Sequence, residues 1–265
     1  MEKMKSVVIT GSTSGIGLGL AEAFLAQGCC VTISGHSQNN LDLAYDTLER
    51  KHDKDRIQAY LCNVTRYEEV EGLWQAAVAK FNHVDIWINN AGTGQSQIPI
   101  RDYSHELIDK VVGTNVNGVL YGMKIALSYM KQQGFGSIYN MEGLGSGGPV
   151  IRGLALYSAT KAAVAYLTVS AAKEAEGTAI IVGGLRPGMV ATKLITDQYK
   201  EHPEEWKKAE RIFSILSDRV ETVTPWLADK ILRNEKNGVR IQWLTRSKIM
   251  FRFLESLFRK RIVYE

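Results

Sequence analysis

Residues 7–17 read Val7-Val8-Ile9-Thr10-Gly11-Ser12-Thr13-Ser14-Gly15-Ile16-Gly17, an apolar run that leads into a turn with three glycines. The run predicts a buried strand, and the residues after Gly15 predict the first turn of a helix. Glycines at such a junction allow a tight turn and a close approach of the backbone to a ligand, and the unpaired N–H groups of the helix start attract phosphate. No Gly-Lys-Ser/Thr follows, so a P-loop triphosphatase is excluded. The stretch predicts a strand–turn–helix unit that binds a dinucleotide.

The rest of the chain alternates between short β-branched runs and longer amphipathic stretches. Strands are predicted at 6–10, 30–34, 57–61, 84–89, 136–141, 179–185 and 239–244, and helices at 16–27, 40–51, 67–81, 106–132 and 158–176. Several strands are apolar throughout, which indicates burial on both faces of a parallel sheet. With no internal repeat and no break in composition before residue 244, this alternation predicts a single α/β domain with a doubly wound parallel sheet and three layers.

Composition and charge exclude several other classes of protein. No segment approaches 18 consecutive apolar residues, so none is expected to span a membrane. The formal net charge is +4, and the cations cluster in the C-terminal segment (residues 246–262), which leaves little support for nucleic-acid binding. The cysteines, Cys29, Cys30 and Cys62, have no ligand or disulfide spacing. We therefore expect reduced thiols, no metal site and a cytoplasmic protein.

Residues 195–230 interrupt the alternation with a polar segment of helical pattern. Pro203 and Pro225 flank the apolar residues Trp206, Ile212 and Phe213. The segment stands where a simple crossover is expected, so we predict a lid over the carboxyl ends of the strands.

The end of the second predicted strand bears on the choice of cofactor. An acidic residue there would bind the ribose hydroxyls of NAD and repel the extra phosphate of NADP. Residues 32–37 read Thr-Ile-Ser-Gly-His-Ser, with no acid. The pattern favours NADP, with His36 and Ser37 as donors to the phosphate, although His36 can also be read as a solvated loop residue.

Tyr157 and Lys161 are four residues apart, so on a helix their side chains share one face. A cation within about 4–6 Å favours the phenolate and lowers the pKa of a tyrosine, which otherwise lies near 10. The pair predicts an acid/base catalyst for proton transfer to or from a carbonyl oxygen.

Taken together, the motifs resemble the short-chain dehydrogenase/reductase family over essentially the whole chain. They are the glycine turn (residues 10–17), Asn89-Asn90-Ala91-Gly92, Asn115, Tyr157 with Lys161, and Pro187-Gly188 followed by Thr192. The resemblance implies a Rossmann fold, a homodimer or homotetramer, Tyr157 as acid/base, Lys161 on the nicotinamide ribose, and Asn115 holding a proton-relay water. The cofactor-binding residues it implies, together with those of the two preceding arguments, are Gly11, Ser12, Ser14, Gly15, Ile16, Gly17, His36, Ser37, Asn63, Val64, Asn89, Ala91, Gly92, Tyr157, Lys161, Pro187, Gly188, Val190 and Thr192.

One departure from the family concerns the serine that polarises the substrate carbonyl. Its position after the fifth strand aligns with Gly143, which has no hydroxyl. The surrounding glycines permit unusual backbone conformations, so Ser146 is our candidate replacement. Glu142 is a second candidate, or a simple surface acid.

The same loop, Asn-Met-Glu-Gly-Leu-Gly-Ser-Gly-Gly at 140–148, and the tail Ile-Gln-Trp-Leu-Thr at 241–245 are similar to the chlorophyll b reductase group. That group reduces a formyl group on a tetrapyrrole. The similarity implies a bulky, apolar, carbonyl-bearing substrate more than it implies chlorophyll itself.

The C-terminal segment has apolar residues at helical spacing between Ile249 and Phe258, flanked by Arg252, Arg259, Lys260 and Arg261. The stripe predicts a basic amphipathic helix. It is interpreted as packing on the body or on another subunit; docking on a membrane interface is the alternative.

These features predict an NADP(H)-dependent carbonyl reductase or alcohol dehydrogenase. The alternative is a nucleotide-sensing interaction protein that keeps the fold and the cofactor with weak or no catalysis. Gly143 favours the alternative, whereas Tyr157, Lys161 and Asn115 favour the enzyme.

Overall fold

The computed structural model describes residues 4–147, 150–196, 203–259, 261 and 263–264. Its strands are β1 (Ser6–Ile9), β2 (Cys30–Gly35), β3 (Ile57–Leu61), β4 (Ile86–Asn89), β5 (Gly136–Met141), β6 (Ile180–Arg186), β7 (Met189–Val190), β8 (Ser217–Asp218) and β9 (Arg240–Gln242). Its helices are α1 (Gly15–Ala26), α2 (Gln38–Glu49), α3 (Tyr67–Phe81), α4 (His105–Val112), α5 (Gly118–Gln133), α6 (Ala155–Glu174), α7 (Lys193–Thr196), α8 (Pro203–Leu216), α9 (Val220–Leu232) and α10 (Arg246–Glu255).

Seven strands form one parallel sheet in the order β3-β2-β1-β4-β5-β6-β9. The chain runs outward from β1 in one direction to β3, then returns to β4 and continues in the other direction. This confirms the predicted doubly wound sheet. The strand order reverses between β1 and β4, and ligands of such sheets bind at the carboxyl ends beside that point.

Two apolar cores lie on opposite faces of the sheet and give the fold its three layers. On one face α1, α2 and α9 bury Phe24, Leu48 and Leu227. On the other face α3, α5 and α6 bury Leu73, Ile125 and Val164. Strands β1, β2 and β4 are buried along their whole length, which is why the residues 7–9 of β1 and 86–88 of β4 are continuous apolar runs.

The helix predicted at 106–132 is divided in the structure. Helices α4 and α5 are joined by a π-helical turn, Gly113–Asn117. A π turn carries one extra residue, and such turns are frequent at functional sites. The extra residue turns Asn115 inward, where its side chain is fully buried.

The predicted lid at 195–230 is too long. That α8 acts as a lid stays a prediction, whereas α9 packs against α1 as a layer of the main fold. The reason is its apolar face, since Val223, Leu227 and Ile231 are buried against the sheet. Residues 197–202 of the predicted lid, and Lys260 and Ile262 of the C-terminal segment, lie outside the described residues. In the part of the chain that the structure describes, every helix is too short or too polar to cross a bilayer.

Candidate active site

One large cavity, of about 1860 Å³, runs along the carboxyl ends of the strands. It begins at the glycine turn and extends past Tyr157 to α8 and the start of α10. Ligand pockets for single small molecules usually measure about 300–1,000 Å³. The cavity therefore has room for a dinucleotide and a second, bulky ligand.

The glycine turn is fastened to the end of β4 by Asn90. The Nδ2 atom of Asn90 donates hydrogen bonds of 2.9 Å to the carbonyl oxygens of both Thr10 and Gly11. A Cβ on Gly17 would lie 2.5 Å from that same Nδ2 atom, and a Cβ on Gly11, whose φ is +61°, would lie 2.7 Å from the Cα atom of Ala91. Only glycine fits these two positions. The resemblance placed Asn90 in the segment 89–92 that lines the adenosine side of the cofactor, and the structure adds that its amide holds the glycine turn.

The end of the cavity at the glycine turn fits the diphosphate of a nicotinamide dinucleotide. Helix α1 begins after Ser14, whose side chain makes no capping hydrogen bond, so the first N–H groups of the helix are free of a side-chain cap. The charges on the described lining agree, because six basic residues face one acid, Glu142. The basic residues are His36, Lys110, Lys161, Arg186, Lys193 and Arg246.

Most of the predicted cofactor residues line this cavity. They are Gly11, Ser14, Gly15, Ile16, Gly17, His36, Asn63, Val64, Ala91, Gly92, Tyr157, Lys161, Pro187, Gly188, Val190 and Thr192. The structure brings the segments around Gly15 and Thr192 together, since a Cβ on Gly15 would lie 3.3 Å from the Cγ2 atom of Thr192. The segment 187–192 and the glycine turn thus share one wall of the cavity.

Three predicted cofactor residues fall outside the lining. The hydroxyl of Ser12 is fully buried; it donates to the carbonyl oxygen of Ile9 at 2.7 Å and accepts from the N–H of Ser34 at 2.8 Å. It therefore joins β1 to β2 and cannot reach a phosphate. Ser37 precedes α2 just beyond His36 and is not part of the wall.

Asn89 is the third correction, because its amide belongs to the interior of the sheet. Its Oδ1 atom accepts from Trp87 Nε1 and its Nδ2 atom donates to Asn140 Oδ1, both at 2.8 Å. Asn140 continues the chain of hydrogen bonds to the hydroxyl of Thr168 at 2.9 Å. A buried amide needs such partners, and here they fix β4 to β5 and α6.

Tyr157 and Lys161 lie in α6 and both line the cavity. The Nζ atom of Lys161 donates to the carbonyl oxygen of Met141 at 3.0 Å and lies 5.9 Å from the centroid of the Tyr157 ring. Burial lowers the pKa of Lys161 to about 8, against the opposing effect of Glu142. Burial also raises the pKa of Tyr157 to about 12.

The direction of the Tyr157 shift corrects the sequence-based expectation. The ammonium of Lys161 was expected to lower the pKa of the phenol, but the pKa is raised, because burial desolvates the phenolate. Tyr157 is consequently protonated at neutral pH and suited to donate a proton.

Asn115 is held behind the cavity wall by protein partners. Its Nδ2 atom donates to the carbonyl oxygen of Thr93 at 3.0 Å and to the hydroxyl of Thr160 at 3.1 Å, and its Oδ1 atom accepts from the N–H of Thr93 at 2.8 Å. Both amide hydrogens are used, so the side chain could only accept from a water. The predicted relay role of Asn115 stays a prediction.

The active-site loop (residues 142–147) passes directly beneath Tyr157. A Cβ on Gly143 would lie 2.9 Å from the Tyr157 hydroxyl, so glycine lets the loop approach closely. The hydroxyl of Ser146 donates to the carbonyl oxygen of Gly143 at 2.6 Å. Ser146 lines the cavity, but its proton is used inside this turn, which makes it less suited to polarise a carbonyl than the sequence suggested.

Glu142 is neither a surface acid nor free to reach a substrate. Its carboxylate is almost fully buried and forms ion pairs with Nε of Arg186 at 2.5 Å and Nε of Arg240 at 3.0 Å. Arg186 also donates from Nη2 to the carbonyl oxygen of Ser146. The two arginines at the ends of β6 and β9 thus anchor both ends of the active-site loop, a role that sequence reasoning missed.

The doubly wound sheet and the glycine cradle define a dinucleotide-binding α/β protein. The family model for short chain dehydrogenases matches residues 5–203, and the chain belongs to that family. Among the described residues, no group of three or more His, Cys, Asp or Glu side chains comes together as a metal site.

Curated relatives and solved structures agree with this membership. The chain is 30% identical to the probable chlorophyll(ide) b reductase NYC1 of Arabidopsis thaliana, over 97% of this chain and 54% of that protein. It is 33% identical to the chlorophyll(ide) b reductase NOL of Oryza sativa subsp. japonica, over 85% of this chain and 66% of that protein. The chain therefore spans between about half and two thirds of these plant proteins.

Among solved structures, a 3-ketoacyl-(acyl-carrier-protein) reductase from Brucella melitensis, crystallised with NADH, superposes with a TM-score of 0.79. It is 27% identical, and the match covers 90% of this chain and 96% of that one.

Proposed function

We propose that the chain is an NADP(H)-dependent oxidoreductase that reduces an aldehyde or ketone on a bulky, apolar substrate, or oxidises the corresponding alcohol. One observation carries the proposal. The Tyr157 hydroxyl and the Lys161 ammonium enter, from one face of α6, a cavity that the glycine turn closes at its other end. A proton donor and a cation beside a nicotinamide site are what carbonyl reduction requires.

The preference for NADP over NAD rests on charge. Glu142 is the one acid on the described lining, and two arginines neutralise it far from the end of β2. Nothing at Gly35 or His36 repels a 2′-phosphate, and His36 is an exposed donor at that rim.

The proposed chemistry assigns one step to each side chain. When bound, the nicotinamide cofactor supplies or takes the hydride. Tyr157, with its pKa raised to about 12, gives its hydroxyl proton to the substrate oxygen. Lys161 uses one hydrogen on Met141 and keeps two for the ribose hydroxyls.

The far end of the cavity supports an apolar substrate. Its walls include the side chains of Leu154, Ile212, Phe213, Leu244 and Ile249. A tetrapyrrole with a formyl group is one such substrate, in keeping with the names of the plant relatives.

Titration of the full chain with NADPH and NADH, followed by turnover of a panel of aldehydes and ketones, tests the proposal. We expect tighter binding of NADPH and turnover that Tyr157→Phe lowers by about 10²-fold or more. Tyr166→Phe is the matched control, since Tyr166 is on the same helix with its ring 77% exposed. Cofactor binding without turnover that depends on Tyr157 would instead support the nucleotide-sensing protein.

The proposal includes a homodimer or homotetramer in the cytoplasm. Leu120 on α5 and Tyr166 and Val169 on α6 form exposed apolar positions on adjacent helices. The three cysteines are buried free thiols, as a reducing compartment allows. Sedimentation of Val169→Asp, expected to weaken the oligomer, tests the first part.

A further inference from the structure

Helix α10 presents its apolar side chains to the outside. Phe258, Leu257 and Phe251 are 90%, 71% and 65% exposed, and Met250, Phe253 and Leu254 are exposed as well. Packing on the body of the chain, one of the interpretations from sequence, therefore does not describe these residues. Contiguous exposed apolar surface on this scale marks an interaction site.

One charged side chain of α10 points inward instead. Arg252 is buried, where its Nη2 atom pairs with Asp218 Oδ2 at 2.5 Å and its Nη1 atom donates to the carbonyl oxygen of Leu216 at 2.6 Å. Arg261 pairs with Asp218 Oδ1 at 2.8 Å. A surface helix normally buries its apolar face and exposes its charges. Here the ion pairs of Arg252 and Arg261 with Asp218 hold α10 in the opposite orientation. Its apolar side chains are therefore available to contact a membrane or another protein.

The exposed face continues into an apolar groove between α8 and α10. Ile212, Ile215, Phe253, Leu254 and Leu257 line it. Ile212 is also part of the wall of the substrate cavity. The groove and the cavity therefore adjoin across a single side chain.

We propose that this face docks on the surface of an anionic lipid bilayer. Its rim carries Arg211 on α8 and Arg246 and Arg259 at the two ends of α10, and none of the three has an ion-pair partner among the described residues. Glu255 on α10 and Glu210 on α8 are the opposing charges nearby in sequence. Aromatic and aliphatic side chains framed by arginines suit the headgroup region of such a bilayer. The inference is independent of the proposed chemistry.

Co-sedimentation of the full chain with phosphatidylcholine vesicles, with and without phosphatidylserine, tests the inference. We expect binding to the anionic vesicles that weakens with added salt. Leu257→Ser/Phe258→Ser should lower the partition coefficient by roughly tenfold or more, because both side chains would lie in the interface. Leu43→Ser, at an exposed apolar position on α2, is the matched control and should bind like the natural chain. Unchanged NADPH affinity and circular dichroism show that the variants are folded.

Two outcomes would overturn the inference. One is equal sedimentation of the natural chain and the double variant with anionic vesicles, including no binding by either. The other is a lipid-free oligomer that the double variant dissociates, which would assign the face to a second copy of the chain.

Discussion

The two ends of the cavity differ in the groups that hold their walls in place. At the glycine turn, the main chain and the uncharged amide of Asn90 hold the wall together, and a Cβ on Gly11 or Gly17 would collide with them. At the far end, helices α8 and α10 are held by charged and aromatic side chains around Asp218. The diphosphate is common to NAD and NADP, so main-chain N–H groups suffice to bind that part of the cofactor. The far end can change by substitution of single residues, because individual side chains make its contacts.

The largest effect, a loss of stability, is expected from Asp218→Asn, which changes only the far end of the cavity. Burial opposes the ionised form of Asp218, yet hydrogen bonds from Trp243, Arg252 and Arg261 hold the pKa of this carboxyl below its usual value. Removing the charge leaves the buried Arg252 without a counterion and should lower the free energy of unfolding by about 3 kcal/mol. Urea denaturation of both proteins measures it.

The sign of the pH dependence follows from the lowered pKa of Asp218. Its stabilisation is present above the unfolded-state pKa and is lost as the pH falls through the folded-state pKa. The difference between the natural chain and Asp218→Asn should therefore shrink in acid. Asp229→Asn, which breaks a solvent-exposed pair with Arg233, should cost less than about 0.5 kcal/mol. An equal loss in both variants would contradict the special role of Asp218.

Gly17→Ala should act on the opposite end of the cavity. Its Cβ would lie 2.5 Å from both Asn90 Nδ2 and the carbonyl oxygen of Gly11, so the turn must shift. We expect the Kd for NADPH to rise about tenfold or more, with turnover at saturating cofactor less affected. Gly113→Ala, where the nearest atom is Thr65 Cγ2 at 3.6 Å, is the control, and a similar rise there would show that any added methyl weakens binding.

Ser146→Ala should change less. With its hydroxyl already bonded to Gly143, we expect kcat for a good carbonyl substrate to fall less than about fivefold. Loss of a direct donor to a developing oxyanion costs about 10²–10³ in kcat. A fall of that size would restore Ser146 as the group that polarises the carbonyl.

The smallest effect is a displaced pH profile. Lys161, with a pKa lowered to about 8, keeps its charge below that pH, so reductive kcat/KM should decline as the pH rises through about 8. Glu142 supports the charged form of Lys161. Glu142→Gln should therefore move the decline to lower pH, whereas Glu176→Gln at the exposed end of α6 should leave it in place. If the pH profile of Glu142→Gln does not shift, Glu142 does not influence the pKa of Lys161.

Local patterns were enough to predict the fold and the cofactor end from the sequence. Each of these patterns occupies only a few consecutive residues: the apolar run of β1, the glycine turn, and the spacing of Tyr157 and Lys161. The ion pairs of Glu142 could not be predicted from a local pattern, because its partners Arg186 and Arg240 are 44 and 98 residues away in the sequence. The raised pKa of Tyr157 could not be predicted from the sequence either, because it depends on burial by several elements at once.

The short ladder between β7 and β8 links these distant parts of the chain. Val190, on the wall of the cavity, pairs directly with Asp218, and Asp218 holds Arg252 and Arg261. A ligand that moves one strand of the ladder changes the free energy of the other, and thermodynamic reciprocity makes the effect equal in both directions. Through the pair Val190 and Asp218, the wall of the cavity and the carboxylate that anchors the C-terminal segment are direct neighbours in one short ladder.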